Sequence, residues 1–214
     1  MSSRSHETDV RIAVVDSGIH SGHPHVGLIA DGIHFRADGT TDDDWSDRLG
    51  HGTAVAAAIR EKVPDAELIA VRVFDRTLST NAEVLAQAIE WSAQQGAAFI
   101  NLSLGTPNGE HRARLEAAVA AARSRRATVV SAARHHEVDW LPGSLTGVVG
   151  VLLDWECPRE EIRRQSTVDG RIVYAASGYP RPIPGVPPER NLKGLSFAVA
   201  NVTGCLARDL EGEI

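Results

Sequence analysis

The chain has 214 residues, 43% of them hydrophobic and 23% charged, with a formal net charge of −6. That length and balance suit a globular domain with a real core and exclude wholesale disorder or a collagen-like repeat. The acidic balance argues against a nucleic-acid partner. No run of 18 apolar residues suggests a membrane span, and Met1 to Arg11 lacks the apolar core of a secretory signal. Cys157 and Cys205 are the only cysteines, too few for a disulfide framework or a four-cysteine zinc site. They read as free thiols of a reducing compartment, so a cytoplasmic location is expected.

Residues 1–9 read as a mobile tail and residues 10–214 as a single domain. Val10 to Val15 is a β-branched apolar run, a buried strand ended by Asp16-Ser17-Gly18. From His20 to Gly50 the chain is polar, Gly-rich and acidic, and reads as one long functional loop. Thr53 to Lys62 is Ala-rich and helical, with Pro64 as its stop. Glu67 to Phe74 is a second strand. Thr80 and Glu83 have capping-box spacing, and Val84, Leu85, Ala88 and Ile89 then share one helical face up to Gly96.

Ala98 to Leu104 is a third strand and Arg112 to Arg126 the next helix, burying Leu115, Ala118, Val119 and Ala122. Thr128 to Ala132, Val148 to Leu153 and Arg171 to Ala175 complete the strands. Five prolines between Tyr179 and Pro188 impose irregular structure, and a last helix spans about Ser196 to Leu210. Alternating strands and helices predict an α/β fold of three layers, a mostly parallel sheet with helices on both faces. Working loops in such folds lie beyond the carboxyl ends of the strands, where Asp16, Ser103 and His135 fall.

Three polar residues sit at element boundaries among small neighbours: Asp16, His51 between Gly50 and Gly52, and Ser196 after Gly194-Leu195. A nucleophilic serine needs a base, and the base needs a carboxylate to hold its tautomer. Taken singly, each has a plainer structural role as turn cap, packed histidine or helix N-cap.

Together they carry a resemblance. Ile12-Ala13-Val14-Val15-Asp16-Ser17-Gly18-Ile19, with His23-Pro24 after it, looks like the aspartate motif of the subtilisin-like serine peptidases (subtilases, peptidase family S8). His51-Gly52-Thr53-Ala54-Val55-Ala56 resembles their histidine motif, with Ala54 where a second histidine is common. Ile100-Asn101-Leu102-Ser103-Leu104-Gly105 is similar to the strand that pairs with bound peptide. Gly194 to Gly204 resembles the serine motif, altered but in register. The likeness runs from about Val10 to Ala207. It implies a subtilisin-like fold, shortened at the C-terminus, with Ser196 as nucleophile, His51 as general base and acid, and Asp16 as its orienting carboxylate. It implies that Ser103, Leu104 and Gly105 bind substrate backbone as an added strand.

The departures are specific. The family's oxyanion asparagine follows Ala-Ala-Gly; here the stretch is Ala132-Ala133-Arg134-His135-His136, and His135 or His136 would have to donate instead. Leu195 and Phe197 flank the serine where threonine and methionine are usual, and Ala200 and Asn201 replace a Pro-His pair. The link Lys62 to Ala66 is too short for the family's calcium loop, so no metal and no cofactor are expected. A solvated role is expected for Asp42, Asp43 and Asp44, which could otherwise offer oxygen ligands to calcium, and the acidic loop from Asp38 to Asp47 could favour basic substrates. A metal at His20, His23 and His25 is not expected.

The expected activity is hydrolysis of peptide bonds by a serine endopeptidase, and the resemblance extends to small subtilases that remove leader peptides, a narrow processing role. The rival is an impaired homologue that binds a peptide or partner protein without cutting it, and transfer of the acyl group to an amine is a third outcome. A peptide or protein substrate is the expected partner, with neither nucleic acid nor membrane. A second copy or another protein would cover the shortened C-terminal side.

Overall fold

In the computed structural model the described residues are 10–212, so the tail expected at residues 1–9 lies outside them. A nine-stranded sheet runs through the described residues. Its centre is β1 (Arg11–Asp16), a run of Ile and Val that buries both faces, as parallel strands covered on two sides must. On one side β1 pairs with β4 (Glu67–Arg72) and then β2 (Asp31–Phe35); on the other with β5 (Phe99–Leu102), β6 (Thr128–Ala132), β9 (Val149–Leu153) and β11 (Ile172–Ala176). All these pairings are parallel. Antiparallel strands close the two edges: β3 (Thr41–Asp42) on β2 and β10 (Arg163–Ser166) on β11. A separate hairpin joins β7 (Arg134–His135) to β8 (Val138–Asp139).

The alternation of β1 sorts the core into two layers. Ile12 and Val14 pack with α1 (His51–Lys62) and α4 (Leu195–Glu211). Ala13 and Val15 pack with α2 (Ala82–Gln94) and α3 (Arg112–Ser124). The expected three-layer α/β architecture is therefore present. Predicted core positions Leu115, Ala118, Val119 and Ala122 are all buried on α3. Among the described residues no helix is long and apolar enough to cross a membrane.

Three local readings need correction. The segment from His20 to Gly50 is not one loop: Asp31–Phe35 is a sheet strand. Its polar ends hid it, because pairing to buried β4, rather than apolar content, makes it a strand. The same holds for the exposed β10. The cap of α2 is Asn81, whose side chain accepts from the Val84 amide, and not Thr80. Asparagine and threonine are both good caps, and one residue of register separated them.

The approach of α1 to β1 rests on absent side chains. A Cβ on Gly52 would overlap the Gly18 carbonyl oxygen and press on the Asp16 Cβ. Gly18 has φ +97°, and a Cβ there would overlap the Trp45 carbonyl. We expect Gly52→Ala to lower unfolding stability in urea by about 1–3 kcal/mol, the usual cost of overpacking. An unchanged midpoint would contradict this packing account.

Candidate active site

Asp16 ends β1 and is fully buried. Its Oδ1 accepts from the Ser17 amide and from His51 Nδ1, both at 2.7 Å. His51 opens α1, with Gly50 before it in the left-handed region at φ +79°. That start is fixed by Asp47, which accepts from the amides of Leu49, Gly50 and Thr53 and from the Thr53 hydroxyl. Ser17 completes the anchor: its hydroxyl donates to Asp47 and accepts from the Gly52 amide. Asp47 and Ser17 were not singled out in the sequence. The Asx-turn signature of an aspartate two and three residues before orphan amides was the available signal.

The His51 ring packs against Phe197, centroids 5.8 Å apart, on its apolar side. Burial works against the imidazolium, but the hydrogen bond from Asp16 and the charges of Asp16 and Asp47 outweigh it. The His51 pKa is held above its ordinary 6.5.

Ser196 lies in the first turn of α4. Gly194, not Ser196, is the N-cap, at φ 147°, and no side chain caps this helix. The serine hydroxyl is therefore not spent on a cap. It donates to the Ser103 carbonyl at 3.4 Å. The Ser196 amide belongs to the first turn, where N–H groups have no partner within the helix. Behind it α4 is buried. Asn201 donates to the carbonyls of Ser177 and Tyr179, and Thr203 donates to Asn101 of β5. Asn201 is thus a buried tether to the exit of β11.

A cleft of about 320 Å³ joins these parts, lined by His51, Ser103, Leu104, Gly105, His135 and Ser196 among others. Of the two candidate histidines, His135 lines the serine cleft. His136 is exposed, and with Glu137 it forms the tight turn of the β7–β8 hairpin, φ 46° and 62°. Two successive positive φ values are the mark of a two-residue hairpin turn. The expected Gly-Asn turn is thus replaced by a hairpin that holds the His135 ring against Trp140, centroids 5.6 Å apart. Trp140 was missed in the sequence.

The other candidates lie elsewhere. Asp42 accepts from Arg36 at 2.5 Å, and Asp44 accepts from Arg48 at 2.5 Å and from Arg72 of β4 at 3.4 Å, so both acids are already paired with arginines. His20, His23 and His25 line a second cavity beside Arg181. Among the described residues no group of three or more His, Cys, Asp or Glu could hold a metal ion. Cys157 and Cys205 are both free and buried.

The model of the subtilase family matches residues 7–136. The chain is 37% identical over 132 residues to Subtilisin Savinase of Lederbergia lenta, covering 58% of this chain and 46% of that protein. It is 36% identical over 111 residues to Subtilisin E of Bacillus subtilis (strain 168), covering 48% of this chain and 28% of that protein. It spans less than half the length of these curated relatives. A solved prenylagaramide maturation protease superposes with TM-score 0.69 at 26% identity, covering 95% of this chain and 76% of that one. A cold-adapted subtilisin-like serine proteinase superposes with TM-score 0.67 at 21% identity, covering 95% and 76%, which shows the shared fold. The chain belongs to the subtilase family. The family match ends before Ser196, so that residue's place rests on the cleft geometry.

The raised His51 pKa carries a stability signature. The folded value lies above the unfolded one, so the imidazolium–Asp16 contact stabilises fully below about pH 6.5 and is lost as pH rises through the folded value. We expect Asp16→Asn to cost more stability near about pH 5.5 than near about pH 9, and to lower the His51 pKa read by NMR. A cost equal at both pH values, with an unmoved pKa, would contradict the pairing.

Proposed function

We propose that this protein is a serine endopeptidase whose reacting groups are Ser196, His51 and Asp16. One observation supports it most: the 2.7 Å contact of buried Asp16 with His51, in a cleft that also holds the uncapped hydroxyl of Ser196. A substrate strand lies along Ser103, Leu104 and Gly105. Rotation about the Ser196 side-chain bond turns Oγ from the Ser103 carbonyl towards the free nitrogen of His51. Oγ then attacks the scissile carbonyl while His51 takes its proton, and Asp16 stabilises the imidazolium formed. Negative charge on the carbonyl oxygen is met by the Ser196 amide at the positive end of α4 and by the His135 ring. His51 returns its proton to the leaving amine, and water activated by the same ring releases the acyl group.

The substrate we propose is a peptide precursor cut at one or few bonds. The likeness to a prenylagaramide maturation protease across 95% of this chain supports that reading. A fluorophosphonate probe tests the chemistry. Intact protein should label once, at Ser196, and Ser196→Ala should not label; equal signals from both would contradict the peptidase. His135→Ala should keep the fold and lower turnover by about 10²–10³, the figure known for loss of the corresponding donor in subtilisin itself. Unchanged turnover would remove His135 from the oxyanion role.

A further inference from the structure

Phe74 lies just beyond β4, while Trp140, which follows β8, is hydrogen-bonded to Ala133 at the exit of β6; β1 and β5 separate β4 from β6 in the sheet. The two aromatic residues therefore bound opposite ends. Trp140 is clamped on both sides. Its amide donates to the Ala133 carbonyl at 2.9 Å, and its own carbonyl accepts from Ser144 at 2.8 Å. The next residue, Leu141, exchanges two backbone hydrogen bonds with Thr106, at 2.8 and 2.9 Å. The chain at Trp140 thus ties the wall formed by Ser103 to Thr106 to the wall formed by Ala132 to His135. The indole fills the gap between them. A Cβ on Gly105 would stand 3.1 Å from Trp140 Cε3 and 2.6 Å from the Leu141 carbonyl oxygen.

We infer that Trp140 determines specificity, restricting the residue acylated by Ser196 to a small one: glycine, alanine or serine. The inference rests on the peptidase reading. A carbonyl placed between the Ser196 amide and His135 directs the side chain of its own residue along His135, into the space bounded by Gly105, Ala132 and Trp140. That space ends at the indole face. A methyl or hydroxymethyl group fits before it, whereas a benzyl or isobutyl group would have to displace an indole that packs against Gly105 and the His135 ring. Overpacking against a packed ring is costly. At the opposite end the cleft is lined by buried Phe74 and by Leu78, which is 56% exposed.

The test uses diaryl phosphonates of N-acylated alanine and phenylalanine, which label a reactive serine and carry the side chain in question. A compact fluorophosphonate serves as control. Wild-type protein should react with the alanine reagent at least about 10²-fold faster than with the phenylalanine reagent. Trp140→Ala should raise the rate with the phenylalanine reagent, relative to that with the alanine reagent, about tenfold or more. Trp140→Leu is the second variant, and the wild-type ratio decides alone should neither variant fold. A wild-type rate for phenylalanine equal to that for alanine, or a ratio unmoved in both folded variants, would overturn the inference. So would labelling by the fluorophosphonate and by neither amino-acid reagent, which leaves the peptidase reading standing. No labelling by any reagent removes that reading and the inference with it.

Discussion

The site depends on one contact, the hydrogen bond between a fully buried carboxylate at the end of β1 and the first residue of α1. Burying Asp16 is costly unless its oxygens are satisfied. Oδ1 receives the Ser17 amide and the His51 ring, while Oδ2 is buried with no hydrogen-bond partner among the described residues. Asp16 and His51 therefore have strong reason to remain together, because breaking the pair would strand a charge in the core. The glycine at position 52 makes the pairing geometrically feasible, since any side chain there would push α1 off the Gly18 turn.

The rest of the fold brings the Ser196 hydroxyl to the cleft that His51 also lines. β1 and β5 are neighbours, so the exits of both strands, Asp16 and Ser103, open on the same rim of the sheet. α4 crosses beneath them, buried from Phe197 to Cys205, and is tethered to Asn101 through Thr203 and to the β11 exit through Asn201. Those buried polar ties fix the helix along its axis more sharply than apolar packing would, since an alternative register leaves amide groups unpaired. The register sets where Ser196 meets the cleft. Asp47 does the equivalent task for α1, gathering its first amides and so aiming His51.

Much of this was legible in the sequence. Asp16 and His51 stood out because glycines and small residues surround a polar group at the edge of an apolar run, a pattern that only a close backbone approach requires. The central strands were readable because burial on both faces leaves unbroken Ile and Val. β2 and β10 were not, because they owe their conformation to pairing with neighbours rather than to their own side chains. The hairpin at 134–139 was hidden because His136 and Glu137 adopt positive φ without the glycine or asparagine that usually announces it. Trp140 was hidden for another reason: the neighbouring Leu141 pairs with Thr106, distant in sequence, and so brings the indole beside Gly105, which no local spacing reports.

The central claim is that Ser196, His51 and Asp16 act as one proton-passing unit, and non-additivity tests it most directly. Groups that act together lose their effect together, so the second removal costs little once the first is made. Turnover measured for Ser196→Ala, His51→Ala and the double variant should fall to one shared residual rate. Losses that multiply in the double variant would contradict the account, since they would mean that the hydroxyl and the imidazole act independently.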